Sequence, residues 1–184
     1  MSLKSFFQNR SLAKEENANP RQKVMKNLSE MRSVLILCSF NNKADIGNWE
    51  RYFKNLSSPM KKIDIIPFIN DKTFVQDAKD QKSDALLCPK DLNWLGKIKD
   101  KSILSDHLKY EYDLLIDINF ENVYLLNWIF VSSRATLKVS SQIRSEIGEY
   151  ADFMIKTEDA EKKQKLYIDQ IFYYLQQINS NGRI

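Results

Sequence analysis

The chain has 184 residues, 43% hydrophobic and 28% charged, with 28 cationic against 24 anionic side chains for a net charge of +4. This length suits one domain with a core of its own. The two signs of charge are interspersed, which argues against nucleic acid or a membrane surface as partner. No apolar run approaches the ~20 residues needed to span a bilayer, and the start lacks an apolar signal region, so a cytoplasmic protein is expected.

Residues 1–22 are polar and basic, with Phe6, Phe7 and Leu12 as the only apolar anchors and a break at Asn17-Ala18-Asn19-Pro20. They read as a helical arm and linker leading to a domain at 23–184. The arm carries Lys4, Arg10 and Lys14, diluted by Glu15 and Glu16, and reads as a solvated or partner-docking helix. Val24, Leu28 and Met31 are spaced for a helical turn. Residues 34–38 form a short continuous apolar run, hence a buried first strand. Ile46, Trp49, Phe53 and Leu56 predict a helix over 45–56.

Residues 61–69 predict a second strand, with Pro67 marking either its end or an edge position. Residues 85–88 predict a third, stopped by Pro89, and 90–106 read as irregular. The run 112–119 is apolar on both faces, as expected of a parallel sheet covered by helices. An apolar helix at 121–133 and short strands at 137–140 and 153–156 follow. Ile168, Ile171, Leu175 and Ile178 predict a terminal helix over 160–179. Strands separated by helical crossovers give the expected fold class: α/β, a single Rossmann-like domain with a mainly parallel sheet and an N-terminal helical arm.

In such sheets ligands bind beyond the carboxyl ends of the strands. The ends expected here are 39–43, 89–93 and 117–122. Ser39, Asn41, Asn42 and Lys43 precede a helix whose amino end favours a small anionic ligand. The competing reading is that Asn41 or Asn42 caps that helix. Asp117, Asn119 and Asn122 complete the candidate set, with Trp94 as an exposed binding aromatic.

Chemistry-bearing patterns are sparse. The four glycines are isolated, so no phosphate-cradling loop exists and no nucleotide cofactor is expected. Asp113 and Asp117 share a strand face and would suit acid–base work only if their environments separated them. Asp117, Asn119, Glu121 and Asn122 lack a second acidic segment to complete a cation site. His107 is the sole histidine and has no ligand-spaced neighbour, so no metal is expected. Cys38 and Cys88 sit in apolar runs and read as reduced core thiols. No catalytic residue emerges.

Two resemblances add to this. Tyr112-Asp113-Leu114-Leu115-Ile116-Asp117, the apolar helix after it, Ser132-Ser133-Arg134-Ala135, Leu137-Lys138-Val139 and Tyr150-Ala151-Asp152-Phe153-Met154-Ile155 together resemble the amino-terminal Rossmann-like half of heptosyltransferase-type (GT-B) glycosyltransferases. This resemblance implies a sugar-handling fold. Such enzymes, however, use a second such domain and a glycine-rich loop, and 39–43 contains no glycine. Pro89-Lys90-Asp91-Leu92-Asn93-Trp94-Leu95-Gly96-Lys97, read with the first passage, resembles a small uncharacterised family of Bacteroidetes proteins, which implies no activity. The expected function is a non-catalytic binding or interaction domain with a small anionic ligand or a protein as partner. The alternative is a divergent glycosyltransferase-like or sugar-binding domain.

Overall fold

A computed structural model describes residues 3–40, 47–49, 51–53, 60–69, 86–156 and 164–178. Five parallel strands form one sheet: β1 (Ser33–Phe40), β2 (Lys62–Ile69), β3 (Leu114–Asp117), β4 (Leu137–Ser141) and β5 (Phe153–Ile155), in the order β2-β1-β3-β4-β5. β1 pairs β2 from Ser33↔Lys62 and β3 from Val34↔Leu114. The chain therefore runs outward from β1 to β2, then returns past β1 to build β3, β4 and β5 on its other side. This 2-1-3-4-5 order is the flavodoxin-like doubly wound arrangement, with its switch point between β1 and β3.

The alternation of side chains sorts the core into two layers. Val34, Ile36, Cys38, Leu114, Ile116, Leu137 and Val139 face the terminal helix, together with Trp49 and Phe53 from the helical residues 47–49 and 51–53. Leu35, Leu37, Ile66, Phe68 and Leu115 face the opposite layer. The first layer is held by Ile168, Ile171 and Leu175. The second is held by Leu12 of α1 (Leu3–Ala18), by Leu104 before the short α2 (Ser105–Lys109), and by α3 (Tyr124–Ser132). The terminal helix, α4, spans Gln164–Gln177. In α3 every residue from Leu125 to Ser132 is buried, as expected where a helix lies between the sheet and a further helix.

Three expectations are corrected. The third strand at 85–88 is a single bridge, Leu87 to Phe68, with Leu87 N–H donating to Pro67 O at 3.0 Å and Ile69 N–H to Leu87 O at 2.9 Å. Pro67 turns its missing N–H to this outer edge, the side its own carbonyl faces, so the β1 ladder loses no bond. Pro89 then opens a one-turn helix over Pro89–Asp91 that ends the pairing. The helical turn over 24–31 is an extended segment pinned by Val24 N–H to Thr136 O (3.1 Å), followed by a one-turn 3-10 helix, Leu28–Glu30, capped by Asn27. The irregular 90–106 contains an antiparallel bridge, Leu92 to Ile98, and a 3-10 turn that runs into α2.

Residues 1–22, expected as an arm and linker, dock α1 on α3 through Leu12. Arg21 holds the linker to the domain. Its guanidinium donates to Ala135 O and Thr136 O at 3.2 Å and pairs with Asp152 at 2.7 Å.

Candidate functional site

The carboxyl end of β3 lies between β1 and β4. Asp117 pairs Leu37 across one ladder. The register Ile116↔Val139 on the other side sets Ser140 beside it, on the same face. Past the strand, Ile118 N–H donates to Leu37 O at 3.0 Å, and Asn119 folds back so that its Nδ2 donates to Leu37 O (3.2 Å) and to Asp117 Oδ1. Asn119 N–H also donates to Asp117 Oδ1, at 3.2 Å. The turn after β4 brings Arg144 over this end. Its Nη1 stands 3.0 Å from Asp117 Oδ2, and its Nη2 donates to Asn127 Oδ1 in the first turn of α3. Asn127 Nδ2 donates in turn to Asn122 Oδ1 at 2.9 Å. From the opposite layer, Gln164 Nε2 donates to Ile118 O (3.1 Å), and Tyr167 meets Phe120 edge to face.

Asp117, Asn119 and Arg144 are all buried. Burial pushes the Asp117 carboxyl above its ordinary range. Arg144 and the bonds from Asn119 pull it back in part, and Glu146 adds to the rise. Tyr167 is pushed up by burial and by the Asp117 charge, so its hydroxyl stays protonated. Four buried polar atoms at this end have no hydrogen-bond partner among the described residues: Asn119 Oδ1, Ser140 Oγ, Tyr167 Oη and Arg144 Nε, the last 3.9 Å from Glu146. A buried polar atom left without a hydrogen bond costs about 1–3 kcal/mol. Four in one region are a local cost to stability.

Of the residues singled out from sequence, the structure joins Asp117, Asn119 and Asn122 in one network. Ser39 lies on β1 opposite Phe68, partly buried. Asn41, Asn42 and Lys43 lie outside the described residues. Trp94 stands in solvent on the hairpin of residues 92–98, where Gly96 packs on Tyr124 with a positive φ. Arg144, Asn127, Ser140 and Tyr167 were not anticipated. The rule that found 117–122 also reaches the turn after β4, where Arg144 sits.

The acid–base reading of Asp113 and Asp117 is not assembled. Asp113 lies before β3, where it accepts from Lys26 Nζ (2.5 Å), Arg32 N–H (2.9 Å) and Ser33 N–H (3.2 Å). Burial would raise its carboxyl, but these donors bring it below the ordinary value. The two carboxyls sit at opposite ends of a short strand, ~13 Å apart at 3.3 Å per residue, too far to act on one bond. Asp117 pairs with Arg144, and no group of three or more metal-ligating side chains occurs among the described residues. Cys38 and Cys88 are free thiols, both pushed up chiefly by burial, which disfavours a reactive thiolate.

A second polar cluster lies toward the amino ends of the strands. Tyr112 Oη donates to Asp64, His107 Nδ1 is 3.1 Å from Tyr112 Oη, and Lys62 Nζ lies 3.3 Å from Asp64 and 3.7 Å from the Tyr110 ring centre. Every group there has a partner, as a stabilising network requires.

Among curated proteins and among solved structures, no match to the chain is found. A family model does match, over residues 4–178, which takes in α1, the whole sheet and α4. The chain belongs to that family, a family of unknown function designated DUF6913.

Proposed function

We propose that this chain is a non-catalytic binding domain whose small polar ligand lies at the switch point between β1 and β3. The observation that supports this reading is that Asn119 Oδ1, Ser140 Oγ, Tyr167 Oη and Arg144 Nε, buried toward this end of the sheet, have no hydrogen-bond partner among the described residues. Together they offer one acceptor, two hydroxyls that both donate and accept, and one cationic donor. That set suits a hydroxyl-rich or carboxylate-bearing molecule of sugar size. Asp117 neutralises most of the Arg144 charge, so the site favours a weakly anionic ligand over a polyphosphate. The glycosyltransferase-like alternative rests on residues 110–156 alone. With no glycine loop after β1, affinity for nucleotide sugars should be no tighter than about millimolar, or −4 kcal/mol.

The test uses Ser140→Ala and Tyr167→Phe. In the ligand-free protein each deletes a buried hydroxyl that has no hydrogen-bond partner among the described residues, so the midpoint of thermal unfolding should hold or rise. Calorimetric titration with a panel of monosaccharides, sugar acids and nucleotide sugars should then show weaker binding of the best member to both variants. Destabilisation by more than about 1 kcal/mol would mean that the hydroxyls are ordinary structural partners, and the binding reading falls. Micromolar binding of a nucleotide sugar would favour the glycosyltransferase-like alternative.

A further inference from the structure

The N-terminal helix is inside out. In a surface helix the apolar residues face the core and the polar ones face water. In α1 the inward side is Ser5, Gln8, Ser11, Leu12 and Glu15, of which only Leu12 is fully buried. Residues spaced three and four apart share a face, and the outer face so formed carries Leu3, Phe6, Phe7, Arg10 and Lys14. Leu3 is 78% exposed, Phe6 51% and Phe7 49%. The two phenylalanine rings pack edge to face on each other, 5.8 Å between centres.

A second apolar projection stands beside it. Gln8 Nε2 donates to Leu95 O at 2.9 Å, which ties the first half of α1 to the hairpin of residues 92–98. That hairpin is stiff. Asn93 N–H donates to Lys97 O at 2.8 Å, Gly96 N–H donates to Asn93 O at 2.9 Å, and Asn93 Oδ1 accepts from Leu95 and Lys97. At its tip Trp94 is 76% exposed, the one exposed tryptophan of the three, since Trp49 and Trp128 are buried.

The outer face of α1 carries cations and no acid. Lys4, Arg10 and Lys14 are exposed on α1. The acids of the helix lie elsewhere: Glu15 is half-buried on the inward side, and Glu16 acts on Lys138 and Tyr150. Lys97 and Lys99 follow Trp94 on the returning arm of the hairpin. Aromatic side chains protruding among cations are the arrangement by which helices and loops lie in a lipid interface. No helix among the described residues is long and apolar enough to cross a membrane, so the attachment is peripheral.

We propose that α1 and the Trp94 hairpin form a docking surface for an anionic membrane, with Leu3, Phe6, Phe7 and Trp94 entering the headgroup layer and Arg10 and Lys14 meeting its charge. Interspersed charge along the sequence argued against this partner. The docking of α1 reverses that argument locally, because it turns Glu15 inward and leaves Arg10 and Lys14 on the face of the exposed aromatics.

The test is co-sedimentation of the full chain with vesicles of phosphatidylcholine alone or with about 30 mol% phosphatidylglycerol, at low and high salt. Binding is expected to the anionic vesicles only and to fall steeply with salt. It should be accompanied by a blue shift of tryptophan emission that Trp94→Phe abolishes. Arg10→Gln with Lys14→Gln should weaken binding roughly 25-fold, about fivefold for each cation. Phe6→Ser with Phe7→Ser should weaken it roughly tenfold or more, with the thermal midpoint unchanged because neither ring is in the core. No binding, equal binding to neutral vesicles, or binding indifferent to the phenylalanine variant overturns the proposal. So does self-association that the phenylalanine variant abolishes, which would assign the face to a second copy of the chain.

Discussion

Replacing Arg144 with Met tests the buried pair at the end of β3 directly. The substitution keeps much of the aliphatic stem and removes the cation that pairs with Asp117. A buried carboxylate without its partner is strongly destabilising, typically by 3–5 kcal/mol, but it has an escape through protonation. The ordinary carboxyl value here is 3.8, and burial already drives Asp117 above it. Holding that carboxyl neutral at pH 7 costs about 1.36 kcal/mol for each pH unit above 3.8, hence about 4 kcal/mol. At pH 5 the same bookkeeping gives about 1.6 kcal/mol. The sign follows from linkage: the variant's folded state binds a proton that its unfolded state releases, so its stability falls as pH rises above 3.8. For a chain of this size, 4 kcal/mol corresponds to a loss of roughly 8–16 °C in thermal midpoint. Urea unfolding of the wild type and Arg144→Met at pH 5 and pH 7 measures both values. Adding Asp117→Asn should remove the pH dependence and recover most of the loss. A deficit equal at the two pH values would refute the account, because it would trace the damage to the lost Asn127 contact rather than to the orphaned carboxyl.

Lys138 gives a second pH test. It is buried in β4, where it donates to Val131 O at 2.9 Å, and burial, assisted by Arg21 and Lys23, lowers it to about 7. Between pH 7 and 9 the unfolded chain holds a proton that the folded one releases, so stability should rise by roughly 2 kcal/mol. Above pH 9 the rise should reverse, as Cys38 and the buried tyrosines, all raised by burial, stay protonated only when folded. A flat stability profile from pH 7 to 9 in the wild type, or an undiminished rise in Lys138→Met, would refute the assignment. Deleting residues 1–22 should leave one cooperative transition with a lower midpoint, because Leu12 packs in the second core layer and Arg21 pairs with Asp152, but neither completes a strand. Loss of cooperativity would make α1 integral to the domain.

The sequence by itself determined the main elements of the sheet and its flanking helices. The double-faced apolar run of β3, the all-round apolar α3, and the spacing of Ile168, Ile171 and Leu175 are local patterns, and local periodicity is what selects strand or helix. It also placed Asp117, Asn119 and Asn122 together, because they follow one strand in succession. The tertiary structure decided what depends on distance along the chain. That β2 and β3 flank β1 on opposite sides, making a switch point, follows from the crossovers and not from any strand's composition. Arg144 lies 27 positions beyond Asp117, and Tyr167 comes from the other helical layer. Neither carries a signal of its own until the sheet closes and water is removed from between them. The predicted strand at 85–88 failed for the same reason in reverse. An apolar run is only eligible for pairing, and Pro89 left Leu87 a single bridge on the β2 edge. The inverted face of α1 was invisible in composition, since which side of a helix meets the core is set by where the helix docks.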